Sequence, residues 1–474
     1  MKLKYYFLLI LFSITNYSFA QKNLEGKWDG KAYIKETTID FLFTISKGNK
    51  TCFLDLPVNR IKDLPATKVA ISDNQVLLEF ATIKARFEGI YNSDNNKIEG
   101  QWLQGSLNLS LKLSNLNAKD AKPYRPQTPQ APFNYKQEEV SFKNVIEKNV
   151  TLAGTLTYPP DETDLPVLIF ISGSGPQDRD ATLFDHKPFF VMSDYFTRRG
   201  YATLRYDDRG VNKSSGTFEG AKTQDFAEDA KAAINYVTGR TDIIDPKKVI
   251  LVGHSEGAMI AQMIASEERD DVAMIVSMAG PGVPIKDLMV LQNDAQGRLA
   301  GLDEKRLSLN RIFNSKVFEI AASDLQGGDF NNKIRAECKW YFNKLSEEEK
   351  VALGNDFNKF YYSTSLGLNN PWYRNYIAYD PQPYLEKIKI SVLALNGSND
   401  TQVIAADNLD GIEMALENGI CKDYFIKELE GLNHLFQMSK TGGFEEYKDI
   451  RETINIKAME EILKFTKKRL KFIR

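Results

Sequence analysis

The chain has 474 residues, of which 42% are hydrophobic and 26% charged, and its formal net charge is −2. This length suits two or three globular domains, and the near-neutral balance without a basic stripe argues against a nucleic-acid partner. Three cysteines without a C-x-x-C pair permit at most one disulfide, which argues against a disulfide-rich scaffold.

The first 20 residues have the pattern of a secretory signal peptide. Lys2 and Lys4 precede an apolar stretch at 5–14, and a small-x-small cleavage site ends at Ala20. The apolar stretch is short for a membrane span. The next residue is Gln21 rather than a cysteine, so a lipoprotein anchor is not indicated. We predict an exported protein, periplasmic or secreted, cleaved near Ala20, with an uncleaved N-terminal anchor as the alternative.

Residues 21–115 are predicted to form a β-rich domain. Apolar and polar residues alternate near Phe41 and Val76, and leucines occupy every second position from Leu107 to Leu113. This period of two is typical of a small barrel or sandwich with one solvated face. Residues 116–137 follow, with a proline at every third position from Pro123 to Pro132, which predicts an extended linker between separately folding domains.

From residue 138 to 474 the predicted elements alternate between strand and helix, as a mostly parallel α/β sheet requires. The predicted strands are 151–158, 167–171, 201–206, 249–252, 272–278, 391–395 and 422–429, and the predicted helices are 188–199, 225–238 and 457–471. Between about 285 and 378 the alternation stops and the sequence becomes helical, charged and aromatic. We predict that this stretch is a helical cap inserted over the active site.

A Gly-x-Ser-x-Gly motif joins the apolar strand at 249–252 to a helix-forming run. In Gly253-His254-Ser255-Glu256-Gly257, a tight turn brings the backbones too close for a Cβ atom at either glycine. The serine lies at a helix N-terminus, which favours a developing negative charge. This strand, turn and helix form the context of a nucleophile elbow, and Ser255 is the predicted nucleophile.

A serine hydroxyl needs a base to take its proton, and that base is normally a histidine held by a carboxylate. The sequence has three histidines. His254 adjoins the serine and is badly placed to reach back to it, and His186 precedes a helix and is expected at the surface. His434 follows the last predicted strand, where an enzyme with a nucleophile elbow places its base, and is therefore the predicted base.

The acid is expected on a loop after a strand, between the serine and the histidine in chain order. Asp400 meets this condition, because it ends the turn after the strand at 391–395. Asp407 and Asp410 are rivals, but both fall within a predicted helix. We predict Asp400 as the third catalytic residue.

Two backbone N–H groups should stabilise the oxyanion. One is expected from Glu256, the residue after the nucleophile, and its side chain is expected to act as a helix N-terminal anion rather than as a catalyst. The other is expected from the glycine-rich loop at 172–176, with Ser174 as the predicted donor and Gly175 as the alternative.

Two polar loops, 177–180 and 206–210, follow strands on the same side as the nucleophile. Their charged residues Asp178, Arg179, Asp208 and Arg209 are expected to bind substrate or support the oxyanion loop, or else to form a structural ion-pair network. No metal-ligand cluster, dinucleotide fingerprint or Walker loop occurs in the sequence, so we predict neither a cofactor nor a metal.

Five motifs of this sequence resemble those of exported bacterial α/β-hydrolase carboxylesterases with a β-rich N-terminal domain. They are Gly-His-Ser-Glu-Gly at 253–257, Ser-Gly-Ser-Gly-Pro-x-x-Arg-Asp at 172–180, Arg-Tyr-Asp-Asp-Arg-Gly-Val at 205–211, Leu-Asn-Gly-x-x-Asp-x-Gln-Val at 395–403 and Leu-Asn-His-Leu-Phe-Gln at 432–437. The resemblance spans the hydrolase region almost throughout and is looser before it. It implies a triad of Ser255, Asp400 and His434, and hydrolysis of carboxylic esters, often short-acyl ones. The chain departs from the family at Asn212 and Ala258, where glycine is usual.

The leading hypothesis is a serine carboxylesterase that acts on a small-molecule ester, short-acyl or aryl, through an acyl-enzyme. A serine peptidase or aminopeptidase is the first alternative, because one fold hosts many activities. A polymer- or lipid-binding role led by the N-terminal domain is the second. The sequence does not indicate an oligomeric state.

Overall fold

The computed structural model describes residues 24–34, 37–56, 61–72, 74–94, 96–105, 107–116, 125–267 and 269–473. The predicted signal peptide and the first part of the predicted linker lie outside these residues. The chain divides into two compact units, Met1–Lys122 and Pro123–Arg474. No helix among the described residues is long and apolar enough to cross a membrane.

The first unit contains one antiparallel sheet of nine strands within its described part. The strands are β1 Gly26–Ile34, β2 Thr37–Ile45, β3 Cys52–Leu56, β4 Ile61–Pro65, β5 Lys68–Ser72, β6 Gln75–Phe80, β7 Ala85–Asn92, β8 Lys97–Gln104 and β9 Leu107–Asn115. Their order is β4-β3-β2-β1-β9-β8-β7-β6-β5. The β-rich N-terminal fold predicted from the sequence is confirmed.

One face of this sheet carries the core of the first unit. Phe43 contacts the rings of Phe80, Phe87 and Trp102, and all four side chains are fully buried. In β9 the residues of the leucine run at 109, 111 and 113 are buried, while the polar residues between them are exposed. The period of two in the sequence therefore separates the core face from the solvent face.

The second unit is a mixed sheet of eight strands flanked by helices. Its strands are β10 Lys136–Lys143, β11 Thr151–Tyr158, β12 Leu165–Ile171, β13 Ala202–Tyr206, β14 Ile244–His254, β15 Met274–Met278, β16 Ser391–Gly397 and β17 Tyr424–Leu429, in the order β10-β11-β13-β12-β14-β15-β16-β17. The pairs β10–β11 and β11–β13 are antiparallel, and all later pairs are parallel. This topology confirms the predicted α/β fold.

Twelve helices accompany this sheet in the described residues. They are α1 Pro188–Thr197, α2 Thr223–Thr238, α3 Glu256–Ala265, α4 Ile285–Leu299, α5 Glu304–Ala322, α6 Gly327–Lys344, α7 Glu347–Ala352, α8 Phe357–Leu368, α9 Pro371–Ile377, α10 Gln382–Leu385, α11 Ala405–Asn418 and α12 Ile456–Leu470. Helices α1 and α12 pack in one buried cluster, and α2, α3 and α11 pack in the other. Alternate residues of β12 enter the two clusters, so both faces of the sheet are buried, as parallel strands require.

Helices α4 to α10 lie between β15 and β16, the region where the sequence predicts a cap. The rings of Phe313 and Tyr341 stack with centroids 4.2 Å apart, and Phe360 contacts both. These aromatic residues are the core of the helical segment itself. Trp372 and Tyr376 on α9 are a separate stacked pair, with centroids 5.2 Å apart.

The second part of the predicted linker belongs to the α/β unit in the structure. Arg125 donates hydrogen bonds to the carbonyl oxygens of Phe184, Lys448 and Ile450, at 2.7, 2.9 and 2.6 Å. Lys136 and the residue after it, assigned to the linker by the sequence, begin β10. The guanidinium reaches three carbonyls far away in the chain, and such long-range partners leave no local pattern.

Candidate active site

Ser255 occupies a strained turn between β14 and α3. Its backbone angles are φ 56° and ψ −118°, a region that residues with a side chain rarely adopt. A Cβ atom on Gly257 would lie 2.1 Å from the Ile171 carbonyl oxygen, and one on Gly253 would lie 2.1 Å from the Gly257 carbonyl oxygen. The two motif glycines are thus required by close backbone approach, which presents the serine at the apex of the turn.

Asp400 and His434 lie on the loops after β16 and β17, and their side chains meet. His434 Nδ1 and Asp400 Oδ2 are 2.7 Å apart, and both side chains are buried. The other carboxylate oxygen, Oδ1, accepts the backbone N–H groups of Gln402 and Val403 at 2.8 and 2.9 Å. The carboxylate is therefore held by its own turn, and His434 donates its Nδ1 proton to it, which leaves Nε2 as the basic nitrogen.

The parallel topology explains why these loops gather around the nucleophile. Strands β14, β15, β16 and β17 are neighbours, so the loops at their carboxyl ends lie along one edge of the sheet. Ser255 follows β14, and Asp400 and His434 follow β16 and β17. The rival acids Asp407 and Asp410 lie on α11 and are exposed to solvent.

His254 connects the elbow to the loop of His434. Its Nε2 donates to the His434 carbonyl oxygen at 2.8 Å, and the two rings have centroids 4.8 Å apart. Burial, with the nearby His434 adding to it, lowers the pKa of His254 to about 4, so its imidazole is neutral at physiological pH. The sequence excludes His254 as the base, and this contact gives it a structural role that spacing alone did not reveal.

The glycine-rich loop after β12 passes close to the nucleophile. A Cβ atom on Gly173 would lie 3.3 Å from the Ser255 Cβ atom and 3.2 Å from the His254 carbonyl oxygen. Ser174 follows in this loop, and Glu256 begins α3. Within the described residues no acceptor is found for the N–H of Ser174 or of Glu256. The two N–H groups are thus unpaired within these residues, and their role as oxyanion donors stays a prediction.

The side chain of Glu256 is buried rather than solvated at the helix start. Its Oε1 accepts from Thr223 Oγ1 at 2.7 Å and from Trp372 Nε1 at 3.2 Å, and the Ser174 side chain lies close to this carboxyl. Burial raises its pKa, and these hydrogen bonds oppose the rise. The interpretation of this side chain as a simple helix N-terminal anion is therefore incomplete, because a carboxyl enclosed on all sides depends on its donors.

Asp208 supports both ends of the loop that carries Ser174. Its Oδ1 accepts the Ser172 hydroxyl at 2.6 Å, and its Oδ2 accepts the backbone N–H of Gln177 at 2.9 Å. The neighbouring Asp207 accepts the backbone N–H of Arg179 at 2.9 Å and its Nη2 at 2.8 Å. Asp208 therefore supports the loop that carries Ser174, whereas Arg179 pairs with Asp207 and Glu139 at 2.8 and 2.9 Å and fits the interpretation as an ion-pair network.

The other two residues named from these loops have local or structural partners. Arg209 binds Asp229 of α2 at 2.7 Å and Glu147 at 2.6 Å, which makes a structural ion-pair network. Asp178 accepts the backbone N–H groups of Asp180 and Thr182 at 3.0 and 2.9 Å, which closes its own turn. Neither side chain contacts Ser255 or His434 through these bonds.

The stability of this loop should depend on pH through Asp208. Burial raises its pKa to about 7, although the Ser172 hydroxyl lowers it. Because the folded pKa exceeds the ordinary value of 3.8, the stabilisation is full below about pH 4 and is lost as pH rises through about 7, a loss of roughly 4 kcal/mol. The variant Asp208→Asn keeps an acceptor for the Gln177 N–H and has no carboxyl to titrate. Its free energy of unfolding, measured with urea, should therefore lack this fall between about pH 5 and about pH 8. Equal pH slopes in the two proteins would contradict the assignment.

His186 is buried, contrary to the expectation of a surface residue. Its Nδ1 lies 3.0 Å from Thr453 Oγ1, and its Nε2 lies 3.0 Å from the Tyr447 carbonyl oxygen and from Gln437 Nε2. Burial lowers its pKa to about 4. The expectation was wrong because the partners lie more than 250 positions further along the chain, where local sequence gives no sign of them.

A mostly parallel sheet, a serine at a strained strand–helix turn, and a histidine–carboxylate pair on the loops of neighbouring strands define the protein as an α/β hydrolase. Residues 148–411, more than half of the chain, match the model of the X-Pro dipeptidyl-peptidase (S15 family), and the chain belongs to this family. The predicted membership of an α/β-hydrolase family is thus confirmed.

A curated relative is Esterase EstD of Thermotoga maritima, which is 30% identical over 210 residues. The match covers 44% of this chain and 48% of the esterase, so the chain spans about half the length of that relative. Among solved structures, an esterase of Pyrococcus furiosus is 15% identical with a TM-score of 0.42, over 73% of this chain and 98% of that one. An α/β hydrolase of a Penicillium species is 17% identical with a TM-score of 0.41, over 70% and 99%.

Proposed function

We propose that this protein is a serine carboxylesterase that hydrolyses small, short-acyl or aryl esters through an acyl-enzyme. The observation that carries the proposal is the strained Ser255 at the elbow, with the 2.7 Å His434–Asp400 pair on the loops of neighbouring strands. Esterase EstD, the 30% identical relative, supports an ester substrate. The predicted signal peptide at residues 1–20 supports export.

Each step of the proposed reaction has a named group. His434 Nε2 takes the hydroxyl proton of Ser255, and the serine oxygen attacks the ester carbonyl. The oxyanion accepts hydrogen bonds from the Ser174 and Glu256 N–H groups. His434 then gives its proton to the leaving alcohol, and the acyl group stays on Ser255 as an ester. A water molecule, deprotonated by His434, releases the acid and restores the serine.

A peptidase is the second candidate, because the matching family model is described as an X-Pro dipeptidyl-peptidase. An enzyme that removes residues from a free N-terminus needs an acidic partner for the substrate ammonium group. The acid beside the nucleophile, Glu256, already accepts hydrogen bonds from Thr223 and Trp372 and is 3% exposed. This occupied carboxyl favours a substrate without a free ammonium group, hence the ester.

Two substrate sets, given to the same purified protein, test the proposal. One set is p-nitrophenyl esters from acetate to palmitate, and the other is aminoacyl and dipeptidyl-proline p-nitroanilides. We expect turnover of the esters with a short-chain optimum and at least tenfold lower kcat/KM on every anilide, since the leaving groups of the two sets differ little in size. Anilide turnover equal to or above that of the best ester would replace the esterase proposal with the peptidase.

A further inference from the structure

The carboxyl of Glu256 joins three parts of the protein that are far apart in the sequence. It accepts hydrogen bonds from Thr223 at the start of α2 and from Trp372 on α9 of the helical segment, and Ser174 of the glycine-rich loop lies close to it. Glu256 itself directly follows the nucleophile. One side chain therefore connects the elbow, α2 and the helix that comes from the insertion.

The α9 residues at this junction are an aromatic pair. Trp372 and Tyr376 are one helical turn apart, and their rings stack with an interplanar angle of 15°. The Tyr376 hydroxyl lies close to the Ser174 side chain and to the charge of Glu256. The indole N–H of Trp372 thus reaches Glu256, and the Tyr376 hydroxyl lies near the same carboxyl.

The aromatic pair is positioned differently from the other aromatic residues of the helical segment. Phe313, Tyr341 and Phe360 contact one another and form the core of that segment. Trp372 instead donates a hydrogen bond to Glu256 beside the nucleophile, and Tyr376 stacks on Trp372. Two rings held beside Glu256 are a candidate wall for the acyl or alcohol group of an ester bound at Ser255.

We propose that Glu256 is a positioning residue that fastens α9 to the nucleophile elbow, and that the Trp372–Tyr376 pair so held is the wall that selects the ester. The selection rests on the proposed esterase function, whereas the fastening does not. Loss of the carboxyl leaves a buried threonine hydroxyl and an indole N–H without an acceptor, so both α2 and α9 lose a fixed partner.

Three substitutions separate the parts of this proposal. Glu256→Ala removes the acceptor, and Glu256→Gln keeps an amide oxygen that accepts from Thr223 or Trp372. Trp372→Phe keeps one aromatic ring and removes the N–H that reaches Glu256 together with part of the indole's volume. Trp340→Phe is the matched control, because Trp340 lies on α6 of the same helical segment, where Lys316 stacks on its ring.

The kinetic readout is kcat and KM over the p-nitrophenyl ester series. We expect Glu256→Ala to lower kcat for the acetate about 30- to 100-fold with KM changed less than about threefold, because a misplaced N–H of residue 256 weakens binding of the transition state more than of the substrate. Glu256→Gln should recover at least a third of the lost kcat on a logarithmic scale. Trp372→Phe should move the chain-length optimum to longer esters, and Trp340→Phe should leave the whole profile unchanged.

A fluorophosphonate probe gives a readout that does not depend on the ester. Its rate of reaction with Ser255 requires the same oxyanion donors, so it should fall in Glu256→Ala and recover in Glu256→Gln. If wild-type protein reacts with the probe but hydrolyses no ester, the proposed function fails, and the labelling rates still decide the fastening. If Glu256→Ala does not fold, Trp372→Phe tests the fastening in its place. A Trp372→Phe protein with the chain-length profile and the labelling rate of wild type would overturn the proposal. Equal labelling rates in all folded variants would overturn it as well.

Discussion

Replacing Ser255 with alanine should lower kcat for p-nitrophenyl acetate by about five to six orders of magnitude, because the members of a catalytic triad act as a unit. The loss is expected to be close to complete, since the serine oxygen is the atom that forms the acyl-enzyme. His434 and Asp400 would keep their 2.7 Å contact and would have nothing to deprotonate. The remaining rate would come from binding and from the oxyanion donors alone.

The measurement is the initial rate of p-nitrophenol release at saturating ester, with thermal unfolding as the check on folding. Ser266→Ala is the matched control, because Ser266 ends the same helix α3 and its hydroxyl bonds only to the Met263 carbonyl oxygen. We expect that control to stay within about twofold of wild type, as substitutions away from the reacting groups generally do. A Ser255→Ala protein with more than a tenth of the wild-type rate would refute the assignment of Ser255 as the nucleophile.

Replacing Asp400 with asparagine should lower kcat by about four orders of magnitude, because it reverses the tautomer of the base. The turn after β16 directs backbone N–H groups of Gln402 and Val403 at one oxygen of this side chain. The asparagine oxygen would take that place, and its NH₂ group would face His434 Nδ1. Nδ1 would then have to accept a hydrogen bond from this NH₂ group, so it could carry no proton. The ring proton would move to Nε2, the atom that has to receive the serine proton.

Asp407→Asn and Asp410→Asn are the matched controls for this prediction. Both residues lie on α11, both are exposed, and both were the rivals of Asp400 in the sequence. The rates of these controls should equal that of wild type on the ester that gives the highest kcat. The tautomer argument would be wrong if either control lost as much activity as Asp400→Asn. It would also be wrong if Asp400→Asn had the wild-type kcat at pH values above about 8.

The elbow and its two partners were predictable because their patterns are local. Gly253 and Gly257 mark a turn in which a Cβ atom would lie 2.1 Å from a backbone carbonyl oxygen, so no other residue fits at either position. Asp400 follows a short apolar run that forms a buried strand, and His434 follows the last strand of the sheet, of which only Leu429 is buried. A turn that only glycine permits and a polar residue just after a strand both leave a trace within about ten positions of the sequence.

The contacts that organise the site were not predictable in the same way. Glu256 and Trp372 are 116 positions apart, Asp208 and Ser172 are 36 apart, and His186 and Thr453 are 267 apart. Each pair consists of a polar side chain and a distant partner. The amino-acid type of the partner does not single it out, because many other polar residues of the chain could form the same hydrogen bond. The same reason explains Arg125, whose carbonyl partners at Lys448 and Ile450 fix a segment that looked like a linker.

The sequence by itself determined the period of the strands, the alternation of strand and helix, and the turn that exposes Ser255. These features follow from the preferences of neighbouring residues and from burial of one face or two. Only the tertiary structure decided that Glu256 is enclosed by Thr223 and Trp372 and that Asp208 holds Ser172 and Gln177 at the two ends of the glycine-rich loop. A buried polar group is stable only when it meets its partner, and that meeting depends on how the whole chain packs.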